Sequence, residues 1–175
     1  MNKNKRLVFI SIYCALALVL DYVKTFIPFL NMPSGGSINI ALIPIVVCSF
    51  KLGIIDGVAA GFLWWLLSSI LGLNPYYLNL MQYILDYIVP SAIVGISSIF
   101  YRKKNILEIE SGIFLMMIIR TLSVIISGAI FWPGDAASKS VEAFTVSIIY
   151  NLPYSNATLI MLLVLIPIIL KSIKE

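Results

Sequence analysis

The sequence predicts an all-α integral membrane protein, a bundle of six transmembrane helices with both termini in the cytoplasm. Hydrophobic residues make up 61% of the chain and charged residues 11%, against roughly 45–50% and 25% in soluble domains. The 175 residues supply about six apolar segments of about 20 residues each. No length remains for an aqueous domain, so residues 1–175 are predicted to form a single transmembrane domain.

Each apolar segment ends at helix breakers or charges. The first span is predicted over residues 6–26, before the loop PFLNMPSGGSI, whose Pro and Gly residues disfavour helix. Lys51 and Gly53 mark a tight turn between the second and third spans, and YRKKN ends the fourth. The loop WPGDAASKSVE separates the last two. The remaining spans are predicted over residues 39–50, 54–71, 78–101, 113–131 and 144–170.

The distribution of cations predicts the orientation in the membrane. If the N-terminus is cytoplasmic, the outer loops hold only Lys24 and Lys139. The inner ends of the spans then hold nine cations: Lys3, Lys5, Arg6, Lys51, Arg102, Lys103, Lys104, Lys171 and Lys174. This asymmetry follows the positive-inside rule. Because the cations lie at segment ends, in contact with lipid headgroups, the net charge of +4 does not indicate nucleic acid, and no nucleic-acid partner is predicted.

Small residues predict where helices approach one another. Gly53, Gly57 and Gly61 recur every four residues in the third span, which favours a close helix crossing on one face. Ser11 and Ala15 form a weaker pair of this kind in the first span. Ordinary packing within the bundle is one interpretation of that pair, and a docking surface for another membrane subunit is the other.

An acid lies inside the fourth span. Asn79, Gln82 and Asp86 stand at i, i+3 and i+7 and therefore share one helix face. Asp86 is about seven residues from the outer end, roughly 10 Å deep. An unpaired carboxylate at that depth costs several kcal/mol, so Asp86 is expected to be paired, protonated or facing a wet cavity.

Two further spans carry polar faces. Arg120 in the fifth span has Ser123 and Ser127 on the same face. The sixth span repeats polar residues at helical spacing: Ser147, Asn151, Tyr154 and Thr158. Two interpretations follow: a structural Asp86–Arg120 ion pair that holds the bundle together, or a ligand cavity open to the outer side.

Aromatic residues at a similar depth favour the cavity. They are Tyr83, Tyr87, Trp132, Tyr150 and Tyr154. Together with one acid they suit a flat cationic ligand, held by stacking, cation–π attraction and a carboxylate. Asp21 and Lys24, three residues apart near the outer end of the first span, are interpreted instead as a surface ion pair that contributes little.

Several chemistries are disfavoured by composition. The chain has no His, which removes the commonest general base and zinc ligand, and it lacks the phosphate-binding pattern GxxxxGK[ST]. No catalytic residue, metal or cofactor is predicted. A membrane enzyme acting on lipid, with Asp86 and Arg120 catalytic, is the alternative from another class. A third hypothesis, a purely structural subunit, predicts polar faces that pack without an outer cavity.

Four segments in order resemble the thiamine-specific S-component, the substrate-binding membrane subunit, of energy-coupling factor transporters. They are GGSINIALIPIVVCSFKLG, LMQYILDYIVPSAIVGI, SGAIFWPG and YNLPYSNA. The resemblance implies a bacterial plasma-membrane protein that captures thiamine from outside with high affinity. It also implies partners, a transmembrane T-component and two cytoplasmic ATPases. An S-component for a related vitamin or a thiamine precursor remains the second possibility.

The resemblance also implies roles for individual residues. Asp86 would face the cationic part of the ligand with Tyr87 beside it, Trp132 would stack on the ligand, and Asn151 would donate or accept a hydrogen bond. Arg120 matches a basic position, Ser11 and Ala15 match a pair that contacts the T-component, and Gln82, Tyr150 and Tyr154 complete the predicted site. The family pattern has Glu at Asp86, Lys at Arg120, Tyr at Val146 and an outer-loop Trp near Gly35.

Overall fold

The computed structural model of the chain describes residues 2–33, 35–74, 76–103 and 105–173. Lys104 and Lys174 of the predicted charge distribution lie outside the described residues, as do Ser34 and Pro75 of two outer loops. The described residues contain six main helices and one isolated antiparallel bridge, Asn31 with Ser37. The helices are α1 Lys3–Val23, α2 Leu42–Leu52, α3 Ile54–Ile70, α4 Leu80–Ser98, α5 Ile106–Phe131 and α6 Val141–Ser172.

The all-helical membrane architecture is confirmed, and four of the helices are long and apolar enough to cross a bilayer. These are α4, α5, α6 and α1 with its 3-10 extension to Phe26. The helices α2 and α3 are apolar but shorter. With 11 residues, α2 is about 17 Å long, less than the roughly 30 Å of hydrocarbon. Membrane crossing by α2 and α3, and the side on which the termini lie, stay predictions.

Capping residues explain where two helices begin. The α5 helix starts seven residues before its predicted boundary because Asn105 accepts a hydrogen bond from the Glu108 N–H at 2.9 Å, which satisfies a free donor of the first turn. The Glu108 carboxylate in turn accepts from the N–H groups of Arg102 and Lys103. In α6, the Ser140 hydroxyl oxygen accepts from the Ala143 N–H at 3.1 Å.

The helix α4 changes geometry along its length. An α-helical turn, Leu80–Tyr83, leads into a π-helical stretch, Ile84–Ile88, then another α turn, and a 3-10 stretch, Ile93–Ser98. Pro90 has no N–H to donate to the carbonyl of Asp86, four residues earlier, so regular α-helix cannot continue through this point. The widened turn contains Asp86, and such π-helical stretches are frequent at functional sites.

The apolar core surrounds α2 and occupies one end of the bundle. In α2 the run Leu42, Pro44–Phe50 is buried, and the helix packs between α1, α3, α4 and α6. The N-terminal half of α5 contributes Ile113 and Met116, and the C-terminal half of α6 contributes Leu162 and Ile166, all fully buried. The opposite halves of α5 and α6 carry the buried polar residues.

Glycines let α3 and α4 cross in backbone contact. A Cβ atom at Gly61 would lie 2.2 Å from the Ser91 carbonyl oxygen, and one at Gly95 would lie 2.0 Å from the Val58 nitrogen. Gly57 faces Gly95 in the same crossing. Gly53 does not belong to this face, contrary to the prediction. It forms the turn between α2 and α3 with φ of 102°, and no heavy atom beyond its own residue and its chain neighbours lies within 4 Å of its ideal Cβ position.

The α3–α4 crossing yields a stability prediction. We expect Gly61→Val to lower stability by about 1–3 kcal/mol, because the added side chain must push the Ser91 backbone away. Thermal unfolding in detergent measures the change. The control Ile55→Val introduces the same residue in α3 at a position that is 80% exposed and should unfold at nearly the wild-type temperature. Equal melting temperatures for the two variants would contradict the proposed crossing.

Candidate substrate-binding site

A cavity of about 500 Å³ lies among the polar halves of α4, α5 and α6. The irregular α4 contributes Asp86 and Tyr87, and the loop before it contributes Tyr76. The lining residues from α5, its end and α6 are Val124, Gly128, Trp132, Val146, Ser147, Tyr150, Asn151 and Tyr154. The structure therefore brings together six of the predicted substrate-binding residues: Asp86, Tyr87, Trp132, Tyr150, Asn151 and Tyr154. A purely structural subunit would have packed these polar faces without a cavity.

Two donors hold one oxygen of the Asp86 carboxylate. The Gln82 amide nitrogen donates to Oδ2 at 2.7 Å, and the Trp132 indole N–H donates to the same oxygen at 3.2 Å. Trp132 is the residue directly after α5, so this contact ties the end of α5 to α4. Gln82 itself is fully buried and does not line the cavity. Its link to the cavity is the hydrogen bond that it donates to Asp86.

Several aromatic rings lie in the same region as the Asp86 carboxylate. The Trp132 ring meets Tyr76 edge to face with centroids 6.3 Å apart, and the Tyr87 ring lies 4.9 Å from that of Tyr83. Trp132 is 42% exposed and lines the cavity, so part of its side chain is accessible from the cavity. Tyr83 does not line the cavity; its hydroxyl donates to the Ser69 hydroxyl at 2.7 Å.

The face of α6 offers polar groups at successive turns. The Asn151 amide nitrogen donates to the Ser147 carbonyl at 2.9 Å, and the Asn151 amide oxygen accepts from the Tyr154 hydroxyl. The Ser147 hydroxyl donates to the Ile125 carbonyl of α5 at 2.8 Å. A Cβ at Gly128 would lie 2.2 Å from the Ser147 hydroxyl, so the absence of a side chain there permits the close approach of α5 and α6.

The loop between α1 and α2 packs against this face. A Cβ at Gly35 would lie 2.4 Å from the Tyr150 ring, and one at Gly36 would lie 2.2 Å from the Tyr154 ring. Both glycines have positive φ, 97° and 75°, which favours glycine. The position near Gly35, where the family pattern has Trp, is thus filled by the Tyr150 ring.

A second cavity of about 370 Å³ lies on the other side of Asp86 and Tyr87. Arg120 lines this second cavity and not the first. Its buried Nε makes no hydrogen bond to any described group, and the Trp65 indole nitrogen in the same cavity is likewise buried without a partner.

Asp86 and Arg120 do not form an ion pair with each other, and the observed ion pairs involve other residues. Those between side chains of described residues are Arg6 with Asp56 and Lys24 with Asp21. The alternative of a direct Asp86–Arg120 pair is therefore wrong: the two charges share a cavity without contact.

The Asp21–Lys24 pair differs from its prediction. The two side chains do pair at 2.5 Å, but Asp21 is only 5% exposed. Its Oδ2 also accepts hydrogen bonds from the Trp64 indole N–H and the Ser68 hydroxyl, both at 3.3 Å. The interpretation as a surface pair is wrong, because α3 packs its polar residues against this end of α1.

Sequence patterns alone did not identify some residues that line the first cavity. Tyr76 belongs to the connection between the third and fourth predicted spans, Gly128 offers no side chain, and Val124 and Val146 are apolar. Only the tertiary structure shows that these four residues line the cavity. Ser147 had a usable signal, since it begins the polar repeat of the sixth span.

Chemically, the first cavity combines one fixed carboxylate, several aromatic faces and the polar groups of one helix face. This combination suits a flat cationic ligand. A family described as thiamine transporter protein matches the chain over residues 7–175. The chain belongs to this family.

Relatives agree with the family match. The thiamine transporter ThiT of Bacillus subtilis is 37% identical over 168 residues, which cover 88% of this chain and 85% of that protein. ThiT of Lacticaseibacillus paracasei is 30% identical over 167 residues, covering 86% and 81%. The solved structure of ThiT from Listeria monocytogenes superposes with a TM-score of 0.80 at 27% identity, covering 98% of this chain and 96% of that one. The present chain, as a member of this family, is a multi-pass bacterial membrane protein.

The contrast between paired and unpaired arginines yields a prediction. A buried cation without an ion pair costs free energy, so we expect Arg120→Met to leave the melting temperature of the ligand-free protein unchanged or raised. The matched variant Arg6→Met removes the partner of Asp56, which is 6% exposed, and should lower it. Thermal unfolding in one detergent compares them. A larger loss for Arg120→Met than for Arg6→Met would show that Arg120 stabilises the fold.

Proposed function

We propose that this chain is the thiamine-binding subunit of an ATP-driven uptake transporter of the energy-coupling factor class. The observation that carries the proposal is the Asp86 carboxylate beside a cavity lined by Trp132 and tyrosines in a member of the thiamine transporter protein family. Thiamine joins a cationic thiazolium ring to an aminopyrimidine. The cavity volume of about 500 Å³ lies within the usual 300–1,000 Å³ of small-molecule sites.

Each part of the ligand has a matching group in the cavity. The Asp86 carboxylate supplies the negative charge for the thiazolium ring, and Tyr87 lies next to it. Trp132 offers an exposed ring face for stacking and cation–π attraction. The Asn151 amide and the Tyr154 hydroxyl, now hydrogen-bonded to each other, can exchange that bond for bonds to the aminopyrimidine. In this proposal the protein binds and releases thiamine without chemical change, so it is not an enzyme.

The carboxylate leads to a direct binding test. We expect Asp86→Asn to weaken thiamine binding at least about tenfold, because a charge-assisted contact to a desolvated cation is lost. Calorimetric titration of the purified protein in detergent measures the affinity. The control Asp135→Asn makes the same change at an exposed outer-loop position and should bind as the wild type does. An unchanged affinity in Asp86→Asn would contradict the thiamine assignment.

Energy for transport must come from partner subunits in this proposal. The chain has no GxxxxGK[ST] segment to hold ATP phosphates, so two ATPases and a membrane T-component would supply the driving force.

Ser11 and Ala15 are exposed on α1, whereas its packing face consists of Ile10, Cys14, Ala17 and Asp21. Packing within this bundle does not account for the small pair. We assign it to contact with the T-component.

The α1 surface is tested by separating assembly from binding. We expect Ala15→Trp to reduce co-purification with the T-component and ATPases while thiamine affinity stays at the wild-type value, since the added ring obstructs close approach of a partner helix. The control Ile160→Trp places the same ring on α6 at a position 63% exposed and should assemble normally. Normal assembly of Ala15→Trp would rule out this docking surface.

A further inference from the structure

The side-chain amide of Gln82 has only one possible orientation. Its Oε1 accepts a hydrogen bond from the Leu78 N–H at 3.0 Å, and a backbone N–H can only donate. The amide NH₂ group must therefore point the other way, where it donates to Asp86 Oδ2 at 2.7 Å. The Gln82 backbone N–H donates in addition to the Asn79 side-chain oxygen at 2.9 Å. Gln82 is fixed at both ends.

The two donors to Asp86 differ in kind. Trp132 is part of the cavity lining and 42% exposed, so a ligand that stacks on it can displace its indole N–H. Gln82 is fully buried behind the carboxylate and lines neither cavity. A ligand that enters the cavity contacts Asp86 without contacting Gln82. Gln82 is thus the donor that stays in place when the site is occupied.

We propose that Gln82 is a positioning residue for ligand binding, which holds the Asp86 carboxylate toward the cavity and acts only through it. This inference rests on the proposed function. The carboxylate stands on the π-helical stretch Ile84–Ile88, between two cavities that it lines on both sides. An Asp side chain without a fixed partner at such a boundary can adopt more than one rotamer. The charge-assisted bond from Gln82 selects one orientation before the ligand arrives, which lowers the cost of binding.

The variant Gln82→Met tests the role. Methionine is unbranched and similar in length, so it fills the buried space but has no N–H to donate. We expect its thiamine dissociation constant, measured by calorimetric titration of the full chain in detergent, to rise up to about tenfold, because the Asp86 side chain must then be ordered when the ligand binds. The control Ser69→Ala removes a hydroxyl that anchors the neighbouring Tyr83 and should keep the wild-type affinity.

A double-mutant cycle separates positioning from a general structural role. In the background Asp86→Ala, Gln82→Met should cause no further loss of affinity, because the group through which Gln82 acts is absent. The same fold-loss in both backgrounds would overturn the inference. If Gln82→Met does not yield a folded protein by thermal unfolding, Gln82→Asn takes its place in the cycle, since its amide is one methylene too short to reach Asp86.

The outcomes distinguish the two proposals. Failure of the unaltered chain to bind thiamine overturns the proposed function and this inference with it. Thiamine binding by the unaltered chain, combined with wild-type affinity in Gln82→Met, overturns the inference alone and leaves the proposed function standing. Loss of affinity that disappears in the Asp86→Ala background supports both.

Discussion

A carboxylate inside a membrane bundle must be compensated by hydrogen-bond donors or charge, and the Asp86 carboxylate is the group around which this structure is arranged. Its two donors come from different parts of the chain, Gln82 one turn earlier and Trp132 at the end of α5. Pro90 interrupts regular α-helix and leads to the π-helical stretch that holds Asp86. The Ser123 hydroxyl of α5 donates to the Leu85 carbonyl of the same stretch at 2.8 Å, so α5 and the residue after it contact both Leu85 and Asp86.

The bundle divides into an apolar end and a polar end. At the apolar end, α2 is enclosed by four other helices, and its buried residues form the centre of the core. Burial of apolar side chains is largely non-directional, whereas the polar end depends on directed hydrogen bonds such as that of Ser147 to Ile125. The apolar end therefore holds the helices together, whereas the polar end fixes individual groups around the cavity.

The buried charges are compensated in different ways. Asp56 and Asp21 each have a cation within contact distance, and both are buried. Asp86 and Arg120 instead share a cavity without contact. Asp86 depends on hydrogen bonds from Gln82 and Trp132, whereas the Arg120 Nε has no partner among the described residues. This arrangement is typical of binding sites that give up some stability for function.

Hydropathy and helical periodicity by themselves determined that the chain is an all-α membrane protein, the approximate extent of the helices, and which residues share a helix face. Polar helix faces, the depth of the aromatic residues and the family resemblance together predicted six residues that the structure places around one cavity. Tertiary structure decided the rest. Periodicity does not set how each helix is rotated against the next, so only packing placed Arg120 in the second cavity and buried Gln82 behind Asp86. Packing also placed Asp21 against Trp64 and Ser68 of α3. The pattern of a single segment does not show which side chains of another helix it will contact.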